Sequence, residues 1–268
     1  MTATTYALTN QKGGVGKTTC TYHLARAGSR AGLRVLVVDL DPQGNLTSFL
    51  SATDDGEPLP EDTAGLADVL SRTVDTELRD VILPTIWEGV DMAPTVGEAL
   101  GSVREELTIA GAGRESRLKL ALADVLDDYD VVLIDCPPSL DQLTGNGLTA
   151  ADSVVVISES RMASASGLAK LLDTIGQVQQ FYNPALTIAG VIVNKHEEGT
   201  RTGRHWLPEI ESAAEARGFP VLRPLVPKRT VIGDAPELSR GLDQGDADSR
   251  ALGTIFDGYM QTLAGAKR

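Results

Sequence analysis

The sequence predicts an α/β fold, a doubly wound and mostly parallel sheet with helices on both faces. Three observations predict it. Short runs that are apolar at nearly every position recur along the chain, as buried parallel strands require. Helix-like stretches separate most of them, giving repeated strand–helix units. A glycine-rich turn, "QKGGVGKTT" at 11–19, joins the first strand to the first helix.

Taken in order, "TYALT" (5–9) reads as the first strand, and a helix follows from Thr18 to Ala31, stopped by Gly32. "RVLVVD" (34–39), "DVVLID" (130–135), "SVVVIS" (153–158) and "LTIAGVIVN" (186–194) are the further strands. Helices are expected at 140–150, 163–181, 207–217 and 246–263. The last of these carries Ile255, Phe256, Tyr259, Met260 and Leu263 on one face. Residues 51–63, "SATDDGEPLPEDT", read as a loop. With no repeat and no long linker, 1–268 is expected to form a single domain.

Composition narrows the class. Hydrophobic residues make up 42% and charged residues 23% of the 268, as in ordinary globular proteins. No apolar run approaches the roughly 18 residues of a membrane span, and no secretory signal is evident. Cys20 and Cys136 form no CxxC pair, which suits reduced thiols and a cytoplasmic protein. The net charge of −13 is unevenly spread. Residues 51–130 hold 19 acids against 6 bases, whereas residues 195–240 hold 8 bases against 7 acids. The later segment is therefore free to carry a local basic face.

The glycine turn is the strongest chemical signal. Gly16-Lys17-Thr18 ends it as a phosphate loop ends, although Gln11 stands where the usual pattern has its first glycine. Gly13, Gly14 and Gly16 let backbone N–H groups turn inward on an anion, and the following helix adds its positive end. Lys17 would neutralise the β- and γ-phosphates, and the Thr18 hydroxyl could ligate Mg²⁺. The residues expected to line ATP here are Gly13, Gly14, Val15, Gly16, Lys17, Thr18 and Thr19.

Three carboxylates fall at the carboxyl ends of predicted strands, where ligands of such sheets bind. Asp135 follows four apolar residues and fits a residue holding Mg²⁺ through water. Asp39 and Asp41 are two apart, on one face if the strand continues. One could organise the metal's water shell and the other the attacking water; the structural alternative is that both cap the next turn or helix.

"KGGVGKTT", "VVDLDPQGN" and "VVLIDCPPS" resemble the deviant phosphate-loop ATPases, and "DPQGN" narrows the resemblance to the ParA-type partition ATPases. "LTGNGLTAAD" (143–152), "GVIVNK" (190–195) and "PKRTVIGDAPELSRGL" (227–242) match more loosely. The resemblance implies the same fold, with ATP and Mg²⁺ as cofactors. It implies that Lys12 reaches across a homodimer interface to the partner's nucleotide. By the same resemblance Asp41 would position the hydrolytic water, Asp39 would lie near the metal, and Asn194 and the stretch around Pro227 would contact adenine.

It further implies that the ATP-bound homodimer coats double-stranded DNA without sequence preference. A ParB-like protein bound at a centromere-like site would then stimulate hydrolysis and release it. Such a protein would be associated with the nucleoid, not with a membrane. Arg201 and Arg204 in one loop, and Lys228 and Arg229 in another, are the candidate DNA contacts. No helix-turn-helix domain is expected before Thr5. Two other readings stay open. A MinD-like membrane-recruited ATPase needs a basic amphipathic end helix, which the last helix disfavours. A small-molecule enzyme on the same scaffold is the other.

Overall fold

In the computed structural model, which describes residues 2–51 and 58–265, strands and helices alternate as the sequence predicts. The expected loop at 51–63 therefore lies partly, at 52–57, outside the described residues. The first half of the chain runs β1 (Thr4–Thr9), α1 (Lys17–Arg30), β2 (Val35–Asp39), α2 (Asn45–Leu50), α3 (Leu66–Leu70) and α4 (Leu78–Val81). Then come β3 (Leu83–Pro84), β4 (Val90–Ala93), α5 (Ala99–Ile109), α6 (Arg117–Leu122) and β5 (Val131–Asp135). The second half comprises α7 (Gln142–Ala150), β6 (Ser153–Glu159), α8 (Met162–Phe181), β7 (Thr187–Asn194), α9 (Arg201–Glu215), α10 (Thr230–Glu237) and α11 (Ala247–Gly265).

The seven strands lie in the order β3-β4-β2-β5-β1-β6-β7. Every pairing is parallel except β3 with β4, the antiparallel edge. From β1 the chain first builds one side of the sheet, and β6 and β7 then extend the other. That reversal leaves a crevice at the carboxyl ends of the central strands, where loops and helix N-termini converge.

Both faces of the central strands are buried. On one face Ala7, Val38, Ile134 and Val156 pack with Leu143, Leu148, Leu171 and Ile175 of α7 and α8. On the other Leu8, Val37, Leu133 and Ile157 pack with Leu24 of α1 and Phe256 and Met260 of α11. Each such side chain, removed from water, contributes about 1.5–3 kcal/mol of gross stabilisation. Phe256, Tyr259, Met260 and Leu263 of the expected apolar stripe are buried, and Ile255 packs against the same core. The Tyr6 hydroxyl donates to the Leu263 carbonyl at 2.7 Å and fastens that helix to β1.

Two expectations need correction. The helix expected at 207–217 starts at Arg201, because the Thr200 hydroxyl accepts from the Gly203 N–H at 3.0 Å and caps it. Pro208 therefore sits about two turns inside the helix, not at its start. The acidic segment 51–130 also supplies β3, β4 and four helices not foreseen as elements.

Candidate functional site

At the crevice the glycine loop runs from the end of β1 into α1. Gly14 and Gly16 have φ of +75° and +88°, the left-handed region that costs any residue with a Cβ. At Gly16 a Cβ would stand 2.3 Å from Asn194 Nδ2, so both conformation and space require glycine. Asn194, at the end of β7, donates from Nδ2 to the Val15 carbonyl at 2.8 Å, and its Oδ1 accepts from the Lys195 N–H. The amide expected to meet adenine is thus engaged in holding the loop. Lys195 reinforces it, its Nζ donating to the Gly14 carbonyl at 2.6 Å.

Lys17 opens α1 and is 6% exposed. Burial pushes its pKa down, and the carboxylates of Asp135 and Asp41 oppose that shift. Thr18 and Thr19 follow it on the first turn, half-buried. A buried ammonium at the start of a helix that follows a glycine loop suits a polyanion.

Asp39 and Asp135 are register partners on adjacent strands, both fully buried. Burial lifts Asp135 to about 8. The charge of Asp39 adds to the lift, and the Thr18 hydroxyl and Lys17 oppose it. Burial lifts Asp39 to about 7 against its bonds to Thr47. Two carboxylates so close in so dry a place favour a cation. Their oxygens differ in what they have left to offer. Asp39 Oδ2 accepts from the Thr47 N–H and hydroxyl, both at 2.8 Å, and Oδ1 accepts from the Asp41 N–H. Asp39 therefore ties down α2, the capping alternative weighed from the sequence. Asp135 Oδ1 accepts from the Thr21 hydroxyl, while Oδ2 is buried with no partner.

That orphaned oxygen, on a carboxyl that also feels the Thr18 hydroxyl, is a donor a hydrated Mg²⁺ fits. No three His, Cys, Asp or Glu side chains converge as an all-protein metal site among the described residues. Sparse protein ligation suits an ion that keeps several waters and bridges to phosphate. Asp41 lies past the end of β2, 9% exposed, its Oδ1 accepting from the Gln43 N–H.

Lys12, at the start of the same loop, is not buried as Lys17 is. Its Nζ is 3.0 Å from Glu159 Oε2 at the end of β6, and its side chain is 32% exposed. Pro227 bridges to His196 just beyond β7. Past it, a cleft of about 980 Å³ is lined by Arg204, Arg223, Lys228 and Arg229 together with Glu197 and Glu198. Arg201 shares a neighbouring cavity with Arg204 and Trp206. Arg201 and Arg204 were expected in a loop; the Thr200 cap places them on the first turns of α9. Lys228 pairs with Glu197 at 3.3 Å and Arg223 with Glu211. Among the described residues Arg201, Arg204 and Arg229 have no carboxylate partner, so the structure brings three free cations to this side.

Cys20 and Cys136 are fully buried, and burial raises both thiols, Cys20 to about 12. Neither is poised as a nucleophile. Among the described residues no helix is long and apolar enough to cross a membrane.

The chain matches a family model described as an AAA domain over residues 3–188. It is 36% identical to the sporulation initiation inhibitor protein Soj of Bacillus subtilis, over 94% of each chain. It is 34% identical to the chromosome-partitioning ATPase Soj of Treponema pallidum, over 93% of this chain and 92% of that one. A solved structure described as cobyrinic acid a,c-diamide synthase from Mycobacterium smegmatis, with bound ADP and magnesium, superposes with a TM-score of 0.79. It is 34% identical over 99% of this chain and 97% of that one.

Proposed function

The chain belongs to the ParA-type partition ATPases, and we propose that it binds and hydrolyses ATP with Mg²⁺ as a homodimer that carries non-specific DNA. The observation that carries this reading is the division between the two loop lysines. Lys17 is buried at the start of α1, whereas Lys12 is part-exposed and paired with Glu159. A part-exposed cation held by a carboxylate, and not buried as Lys17 is, suits delivery in trans, which ties nucleotide binding to association. The loop N–H groups and Lys17 hold the phosphates, Thr18 and Asp135 hold the metal's coordination and water shell, and Asp41 orients the attacking water. Magnesium, once bound, would neutralise charge on the β- and γ-phosphates.

In this reading Arg201, Arg204, Lys228 and Arg229 contact DNA phosphates, and a centromere-bound partner of ParB type stimulates turnover. Three free cations per subunit form a modest patch, which a dimer doubles. The protein would sit on the nucleoid in the cytoplasm. The likeness to a diamide synthase structure keeps one other reading in view, ATP-driven amide formation on a small carboxylic acid. The two buried, protonated thiols argue against a cysteine that releases ammonia from an amide donor.

The test is DNA binding by the ATP-locked protein on two unrelated duplexes at several salt concentrations. Both should bind alike, and each neutralised phosphate should add about −0.9 to the slope of log K against log salt. Arg229→Glu should weaken both equally, flatten the slope and leave association intact. No DNA affinity at low salt, or turnover that requires a small acid, would sink the reading.

A further inference from the structure

One carboxylate at the end of β6 serves three cations. Glu159 Oε2 is 3.0 Å from Lys12 Nζ, and Arg161 Nε and Lys195 Nζ each stand 3.9 Å from a Glu159 oxygen. The Glu159 side chain is 11% exposed, that of Arg161 50%. Two of the three cations are held elsewhere as well. Lys195 donates to the Gly14 carbonyl, and Arg161 pairs with Glu197 at 3.2 Å. Lys12 makes the closest contact, and no other carboxylate pairs with it among the described residues.

We propose that Glu159 is a positioning residue that stores Lys12 within its own subunit, and that Arg161 replaces the lysine when Lys12 leaves for the partner's nucleotide. The proposal rests on the trans role given to Lys12 above. Stripping a largely buried carboxylate of its sole cation is strongly unfavourable. Here the carboxylate is never stripped, because Arg161 and Lys195 wait at 3.9 Å and attraction grows as that gap closes. The exposed Arg161–Glu197 pair is the kind that contributes little and yields easily. Triphosphate, with several charges in a dry site, outbids one carboxylate that keeps two other partners. Lys12 is thereby kept from wandering in the free protomer, yet released at small cost.

Two variants predict opposite shifts. Glu159→Gln removes the hold, so the ATP concentration for half-maximal association should fall about two- to fivefold. In the nucleotide-free protein, Lys12 should be acylated several-fold faster, mapped by mass spectrometry with exposed Lys119 and Lys170 as references. Arg161→Ala removes the replacement, so half-maximal association should need more ATP while Lys12 is acylated no faster. A merely structural role for Glu159 would move neither lysine reactivity nor the two variants in opposite directions. Shifts of the same sign, or wild-type Lys12 reactivity in Glu159→Gln, overturn the proposal. If wild-type protein does not associate with ATP at all, the trans reading itself falls. If wild type associates and the variants match it, only the exchange falls.

Discussion

Replacing Gly16 by alanine separates the conformational from the packing demand of the loop. At φ +88° the new Cβ brings left-handed strain of about 1–2 kcal/mol. Its position 2.3 Å from Asn194 Nδ2 also drives the amide off the Val15 carbonyl. Asn194 is 2% exposed, and an unmade hydrogen bond there costs about 1–3 kcal/mol. Gly16→Ala should therefore lose about 2–5 kcal/mol of unfolding free energy. Gly14 is the internal control, since it shares the positive φ but a Cβ there meets nothing within 4 Å. Gly14→Ala should lose only the strain, about 1–2 kcal/mol. Urea unfolding of the two variants measures the difference, and nucleotide titration should show the Gly16 variant impaired more. Equal losses would refute the role given to Asn194 as the brace of the loop.

Asp41→Ala should bind ATP and associate, yet turn over about a hundredfold or more slowly, the scale of a catalytic acid–base group. Single-turnover hydrolysis decides it, and near-normal turnover would move the role elsewhere. His23, 3% exposed and bonded to the Ile232 carbonyl, is held by burial at about 4. Its unfolded counterpart protonates near its usual 6.5, so the native state loses stability as pH falls from about 6.5 to 4, by about 3 kcal/mol. The unfolding free energies of wild type and His23→Gln should therefore converge as pH drops through that window, and parallel curves would contradict the assignment.

Sequence reasoning reached the central strands because burial on both faces leaves an unbroken apolar run, as in Val35–Asp39 and Val131–Asp135. It missed β4 because that strand is four residues with Asp91 inside it, and β3 because it is two residues ending in Pro84. Both exist through pairing with strands already in place, which no local signal carries. The early start of α9 was hidden by Pro208, although Thr200 is an ordinary capping residue.

The candidate site was legible where a charged residue ends an apolar strand. Asp39 and Asp135 were found that way, and Glu159 carries the same signal at the end of "SVVVISE". Its meaning was not legible, because Lys12 lies 147 positions away and meets it only through the β1–β6 pairing. The unequal duties of Asp39 and Asp135 likewise depend on Thr47 and Thr21, whose approach is a matter of packing.

The central claim is that each phosphate site is completed by Lys12 of the other subunit, and mixing two inactive variants tests it most directly. Lys17→Ala should not hold nucleotide tightly but still offers Lys12. Lys12→Ala holds nucleotide but offers no lysine in trans. A mixed dimer has one complete site, so ATP hydrolysis, absent from either variant alone, should reappear on mixing, to at most about half of the wild-type rate per dimer. A mixture as inert as its parts, with both variants folded, would contradict the account.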